Sequence, residues 1–134
     1  MIPSLSFHHI GYAVFKITQT AAHYVDAGWS LSSIVDDPYQ KCKIAFLRRE
    51  GFPTIELVEQ FDNGGSTLNN FLKNGVTPYH ICYEVQDIQD SIAELRKQKY
   101  LLLFNPVPAI ALDNRLICYM MHPQVGLIEL LQRQ

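Results

Sequence analysis

The sequence predicts an α+β fold of two βαβββ modules, whose eight strands form a cupped mixed sheet around a central cleft. Two observations predict it: a short pattern recurs 71 to 73 residues further along, and each copy combines one helical segment with several strand-like segments. The length of 134 residues suits a single domain. A ferredoxin-like sandwich, in the order βαββαβ, is the alternative that these elements leave open.

Three blocks of sequence recur in the same order, which favours internal duplication over chance. The matched blocks are HIGYAV (9–14) with HICYEV (80–85), IAFL (44–47) with ICYM (117–120), and IELV (55–58) with IELL (128–131). The repeat predicts one domain over 1–134, with module one at about 5–61 and module two at about 76–134. A linking helix is expected at about 66–74.

Module one is predicted to run β-α-β-β-β. Its first nine strand residues alternate in polarity, and the segment after them has helical composition that Gly28 is placed to end. Turn residues at 36–38 and 50–53 separate three further strands. The predicted elements are a strand at 6–14, a helix at 18–27 and strands near 30–36, 42–49 and 53–59.

Module two repeats this order. Asp87 is placed to cap its helix, and Asp90 stands three residues later in the capping-box position. The predicted elements are a strand at 78–85, a helix at about 88–98 and strands near 100–105, 114–121 and 126–132.

Composition excludes several classes of protein. Eleven basic against thirteen acidic residues argue against a nucleic-acid binder, which normally carries a basic excess. No apolar run approaches the roughly 18 to 20 residues that span a bilayer. Three cysteines without a CxxC motif indicate reduced thiols, and hence a cytoplasmic protein, rather than disulfides or a zinc framework.

Strand alternation places one histidine and one glutamate of each module on the same side of its sheet, away from the helix. Two imidazoles and two carboxylates suit a divalent transition metal and leave positions for water or substrate oxygens. The four candidate ligands are His9, Glu56, His80 and Glu129.

A single histidine in a buried strand is more often structural than ligating, so the metal-site prediction depends on the recurrence in both modules. His8 competes with His9, but alternation puts it on the opposite face, at the rim of a site. His23 and His122 lie outside the repeat and are expected to be structural or on the surface.

These motifs resemble the vicinal oxygen chelate superfamily, which includes glyoxalases, methylmalonyl-CoA epimerases, extradiol dioxygenases and drug-binding resistance proteins. The resemblance extends over about 6–132 and is closest to the epimerase and glyoxalase-like branch. The residues that carry it are 9–14, 55–57, 68–75, 79–85, 87–88, 122–123 and 126–130.

The resemblance implies a glyoxalase-like fold and places the metal ligands on the same four residues, His9, Glu56, His80 and Glu129. In this superfamily two substrate oxygens chelate one divalent ion, which stabilises an enediolate while a carboxylate moves a proton on the adjacent carbon. Glu129 is the first choice for that carboxylate and Glu56 the second. Zn, Ni, Co, Mn and Fe all accept such a ligand set.

The sequence departs from the epimerase pattern where that family has a second catalytic carboxylate in the third strand. Lys43 stands there, with Cys42 beside it, and whether Lys43 or Cys42 replaces a second base stays open. A two-base epimerase is therefore doubtful, whereas a related isomerase or lyase is not. Five cations are candidates to neutralise an anionic substrate: Lys41, Lys43, Arg48, Arg49 and Arg115.

The leading functional hypothesis is a metal-dependent lyase, isomerase or epimerase that acts next to a carbonyl on a small substrate, anionic or a thioester. The alternative is a non-catalytic module of the same fold that binds a small molecule, and an iron-dependent dioxygenase ranks third. We expect a homodimer, because the apolar segment 101–104 offers surface for a partner chain to cover. No nucleic-acid or membrane partner is expected.

Overall fold

The computed structural model describes all residues, 1–134, in ten strands and two α-helices. The chain divides into two compact units. The N-terminal unit is His9–Tyr79, and the C-terminal unit combines Met1–His8 with His80–Gln134. The first residues therefore pack with the second half of the chain, where Ile2 and Leu5 contact its core.

The N-terminal unit has the β-α-β-β-β order that the sequence predicts. Its strands run in the order β2-β4-β5-β1, with β3 also paired to β4. The β1–β5 pair is parallel and the pairs made by β4 are antiparallel. The elements are β1 (Ser6–Val14), α1 (Ile17–Asp26), β2 (Ser30–Leu31), β3 (Val35–Asp37), β4 (Cys42–Arg48) and β5 (Ile55–Gln60).

The helix of this unit covers one face of its sheet. Ile17 and Ala21 of α1 pack on apolar side chains from three strands, among them Val14, Leu47 and Leu57. Gly28 follows the helix with φ +96°, a conformation that glycine adopts without the strain of a Cβ. The opposite face of the sheet carries the candidate site residues.

The C-terminal unit repeats the arrangement, in the order β6-β10-β9-β7 with β8 also paired to β9. The β10–β6 pair is parallel, as β1–β5 is. Asp87 caps α2 as predicted, accepting a hydrogen bond from the amide of Asp90 at 3.0 Å. The elements are β6 (Thr77–Val85), α2 (Ile88–Lys97), β7 (Leu101–Leu102), β8 (Val107–Ala109), β9 (Arg115–His122) and β10 (Gly126–Gln132).

Each unit has five strands rather than four, because the predicted second strand is interrupted. In the N-terminal unit, the amide of Phe46 donates to the hydroxyl of Ser32 at 2.8 Å, so a side chain competes for a bond that a regular ladder would give to the backbone. In the C-terminal unit, Pro106 and Pro108 cannot donate to a ladder. The strand predicted near 30–36 is two short strands, β2 and β3. The strand predicted near 100–105 covers only Leu101–Leu102, and the sequence analysis did not predict β8 at Val107–Ala109.

The predicted linking helix at 66–74 is not one continuous α-helix. The segment forms two single turns of 3₁₀ helix, Leu68–Asn70 and Leu72–Asn74, and ends at Gly75 with φ +106°. Asparagine has a low helix propensity because its side chain competes for backbone hydrogen bonds. The buried Leu68 and Leu72 still anchor the segment. Neither α-helix of the protein has the length and apolar character to cross a membrane.

Candidate metal centre

The N-terminal unit brings His9 and Glu56 together on the sheet face opposite α1. Glu56 lies opposite Gly11 in the parallel β1–β5 ladder, and His9 is two residues before Gly11, so both side chains point to the same face. The His9 Nε2 atom lies 3.5 Å from the Glu56 Oε1 atom. Both residues are buried. Their contact is consistent with this burial, because a charged side chain is rarely buried without a partner.

The C-terminal unit builds the same pair from matched residues. Glu129 lies opposite Cys82 in the β10–β6 ladder, and His80 precedes Cys82 by two residues. The His80 Nε2 atom lies 3.4 Å from the Glu129 Oε1 atom. Since His80 and Glu129 are 3% and 1% exposed, this pair is as well shielded from solvent as the first.

An aromatic ring adjoins each pair, a feature that the sequence analysis missed. Phe46 lies opposite Glu56 in the β4–β5 ladder and meets the His9 ring edge-on at 5.6 Å. Tyr119 lies opposite Glu129 in the β9–β10 ladder, and its ring centroid is 5.3 Å from that of His80. The sequence could have indicated these two aromatic residues, because both lie in the repeated blocks IAFL and ICYM.

The donor chemistry of each pair fits a divalent transition metal. A neutral imidazole and a carboxylate are ligands that Zn²⁺, Ni²⁺, Co²⁺, Mn²⁺ and Fe²⁺ share. Each pair keeps a histidine nitrogen and a glutamate oxygen within a short distance of each other on one sheet face. Each unit therefore offers one imidazole nitrogen and one carboxylate oxygen as candidate metal ligands.

Lys43 and Cys42, the two residues considered as a second base, point to opposite faces of β4. Lys43 alternates with Ala45 and Leu47, which pack under α1, so it points to the helix side of the sheet. Cys42 shares the face of Phe46 and is buried. Lys43 is therefore excluded as a second base, and that face of β4 carries no carboxylate.

Two of the five candidate cations are held by other groups of the protein. Arg115 donates to the carboxylate of Glu84 and to the carbonyl of Gln132. Arg49 donates to the carbonyl of Ala27 at 2.8 Å. The hydrogen bond from Arg115 holds the pKa of Glu84 below its ordinary value.

The remaining histidines lie outside the two pairs. His8 belongs to the C-terminal unit, where its charge helps to lower the pKa of Glu84. His23 is exposed on α1. The ring of His122 packs against Tyr100, with centroids 4.8 Å apart. The structural or surface interpretation of His23 and His122 agrees with these positions.

The three cysteines are buried thiols. Burial, together with the negative charge of Glu129, raises the pKa of Cys118 to about 12. A thiol with that pKa stays protonated at neutral pH and is a poor nucleophile.

The chain is similar to one characterised family of sequences. The model of the Glyoxalase/Bleomycin resistance protein/Dioxygenase superfamily matches residues 8–119. No curated protein is similar enough in sequence to match.

Solved structures of similar fold include methylmalonyl-CoA epimerases. The epimerase from Mycobacterium tuberculosis is 26% identical, with a TM-score of 0.83 over 100% of this chain and 93% of that one. A hypothetical protein from Bacillus halodurans C-125 is 29% identical, with a TM-score of 0.82 over 98% and 96% of the two chains. A methylmalonyl-CoA epimerase in complex with methylmalonyl-CoA and NH₄⁺ is 22% identical, with a TM-score of 0.77 over 96% and 94%. These superpositions confirm the predicted glyoxalase-like fold class.

Proposed function

Since this chain belongs to the Glyoxalase/Bleomycin resistance protein/Dioxygenase superfamily, we propose that it is a metal-dependent enzyme of the vicinal oxygen chelate type. Its reaction is a lyase, isomerase or epimerase step in which a proton moves next to a carbonyl group. The epimerases among its structural neighbours favour the isomerase and epimerase side of that range.

The proposed metal ligands are His9, Glu56, His80 and Glu129, with the two pairs acting as one set. A divalent ion bound by them supplies a Lewis acid that lowers the pKa of the carbon acid in the substrate. One observation carries the proposal: a buried histidine–glutamate contact recurs at matched positions, at 3.5 Å in one unit and 3.4 Å in the other.

Glu129 is the proposed general base, and Glu56 is the second choice. Both are buried carboxylates on strands, so their positions are fixed by the ladders that hold β10 and β5. A carboxylate that takes a proton from carbon and returns it to the same or a neighbouring atom needs this kind of rigid placement. Because the matching face of β4 has no carboxylate, we propose a single protein base rather than two.

The proposed substrate is a small oxygenated molecule, anionic or a thioester. One structural neighbour holds methylmalonyl-CoA, which makes acyl-CoA thioesters the first compounds to assay. Both pairs are buried, so an ion bound by them would be largely shielded from bulk solvent.

Metal analysis of the purified protein tests the proposal. We expect about one divalent ion per chain, lost from His80→Ala and retained in His23→Ala, whose side chain is exposed on α1. Wild-type protein that binds no ion under any loading condition, yet binds small apolar ligands, would instead identify the non-catalytic binding module.

We also propose a homodimer in the cytoplasm. Leu101, in the short edge strand β7, and Leu103, just after it, are 63% and 46% exposed, and a partner chain would cover them. Three buried thiols suit a reducing compartment. Sedimentation at micromolar concentrations tests the oligomer, and a monomer at all concentrations contradicts it.

A further inference from the structure

Unlike Arg49 and Arg115, whose guanidinium groups donate to carbonyl or carboxylate oxygens, Arg48 has no such acceptor in the protein. Its guanidinium lies over the ring of Phe46, 5.0 Å from the ring centroid, and no carboxylate forms an ion pair with it. Arg115, by contrast, pairs with Glu84. Arg48 is exposed, so its charge is available to a ligand.

The sheet register places Arg48 on the same face as the His9–Glu56 pair. Arg48 alternates with Phe46, which lies opposite Glu56. Extending the Leu47–Ile55 and Ile10–Ile55 pairs by one residue places Arg48 opposite Thr54, and Thr54 opposite His9. Since neighbouring strands are about 4.8 Å apart, the backbones of Arg48 and His9 are separated by about 10 Å across this face.

Phe46 connects the cation to the pair. Its ring meets the His9 ring edge-on, and the Arg48 guanidinium lies over the same ring. Stacking on an aromatic ring restricts the long side chain and leaves the edge N–H groups of the guanidinium available for a bidentate contact. The cation is thus held in advance of binding, which reduces the entropy cost of recognition.

The matched residue of the C-terminal unit is Met121, which has no charge. The repeat therefore supplies two similar ligand pairs, but a free cation beside only one of them. A single guanidinium complements one carboxylate, whose two oxygens fit its fork.

We propose that Arg48 binds the carboxylate of the substrate, which makes the substrate class small carboxylic acids or their thioester derivatives that retain a free carboxylate. This inference rests on the proposed function, because it assumes that the rest of the substrate reaches the His9–Glu56 pair.

Calorimetric titration with malonate and with its uncharged analogue malonamide tests the inference, using the metal-loaded protein. Arg48→Met copies the residue at the matched position, so the variant is expected to fold, and a thermal melt checks this. We expect its Kd for malonate to rise about tenfold or more, while binding of malonamide stays as in the wild type. Arg48→Lys keeps the charge without the fork and is expected to lie between.

Arg49→Met is the matched control, because Arg49 is the next residue and is held on the carbonyl of Ala27 instead. The inference is overturned if wild type does not bind malonate, if Arg48→Met binds it unchanged, or if Arg49→Met weakens it equally. Tighter binding of inorganic phosphate than of malonate would also overturn the assigned class.

Metal content measured on the same samples separates this inference from the proposed function. If wild type holds no metal and malonate binding still depends on Arg48, the proposed function fails and the carboxylate site stands. If metal is bound and malonate binding ignores Arg48, only the carboxylate site fails.

Discussion

Glu59 accepts a hydrogen bond of 2.8 Å from the backbone amide of Ile17, the first residue of α1. Gln132 does the same for Ile88, the first residue of α2, at 2.8 Å. The first amides of a helix have no partner within it, and Lys16 provides no side-chain cap to α1. The two acceptors are 73 residues apart, so the internal repeat includes a helix cap supplied by the last strand of each module.

Glu59→Gln is expected to leave stability within about 0.5 kcal/mol of wild type, because Gln132 shows that an amide oxygen serves this cap. Glu59→Ala removes the acceptor and is expected to cost about 1 kcal/mol. Urea unfolding measures both. Neither variant is expected to lose metal, since Glu59 lies on the helix side of the sheet. Loss of metal from Glu59→Gln would show that the assumed strand register is wrong.

The alternation of side chains along the strands predicted which residues share a face of the sheet. Alternation along β1 and β5 placed His9 and Glu56 on one face, and the two pairs with their burial follow from it. The 3₁₀ turns at Leu68 and the interruption after Leu31 were not predicted, because side-chain competition with the backbone overrides the apolar pattern there. Spacing alone does not reveal the contact of Glu59 with Ile17, because these residues are distant in the sequence. It also does not reveal the contact of Arg48 with Phe46, which are two residues apart in one strand.

Glu84→Gln is expected to make the free energy of unfolding depend less on pH in the acid range. The pKa of Glu84 in the folded protein is below its ordinary value of 4.5, chiefly because Arg115 donates to its carboxylate. A depressed folded pKa gives stability that is present above the ordinary value and is lost as pH falls through the folded one. The substitution should therefore cost about 1 kcal/mol at pH 7 and much less near pH 3.

Glu94→Gln is the control for this measurement, because Glu94 pairs only with Lys97 on the surface of α2. Exposed pairs of this kind contribute little at any pH. Equal losses for Glu84→Gln at pH 7 and pH 3, measured by urea unfolding, would contradict the assigned ion pair.

Cys118 is expected to resist alkylation in the folded protein. Its pKa is raised to about 12, mainly by burial and also by the charge of Glu129, so the reactive thiolate is scarce at pH 8. Iodoacetamide followed by peptide mass analysis should label Cys118 only after unfolding in urea. Rapid labelling of the native protein would contradict its placement in the core.

Metal affinity is expected to fall as pH drops through about 6.5, where histidine ordinarily gains a proton. An imidazole must be neutral to bind a metal, so protonation of His9 and His80 competes with the ion. Zinc titration against a chromophoric chelator from pH 8 to pH 5.5 measures the effect. His23→Ala should follow the wild-type curve, and an affinity that stays constant over this range would exclude histidine ligands.

Glu129→Gln is expected to separate metal binding from proton transfer. The substitution preserves size and one oxygen but removes the charge and the basicity, so metal affinity should fall modestly. If Glu129 is the base, the rate of proton transfer should fall roughly 10² to 10⁴-fold. Deuterium uptake from D₂O next to the carbonyl of methylmalonyl-CoA, followed by NMR, measures that rate. Glu56→Gln changes the matched carboxylate and should weaken metal binding as much, with a smaller loss of exchange once metal is saturating. Exchange that survives in Glu129→Gln and disappears in Glu56→Gln would assign the base to Glu56.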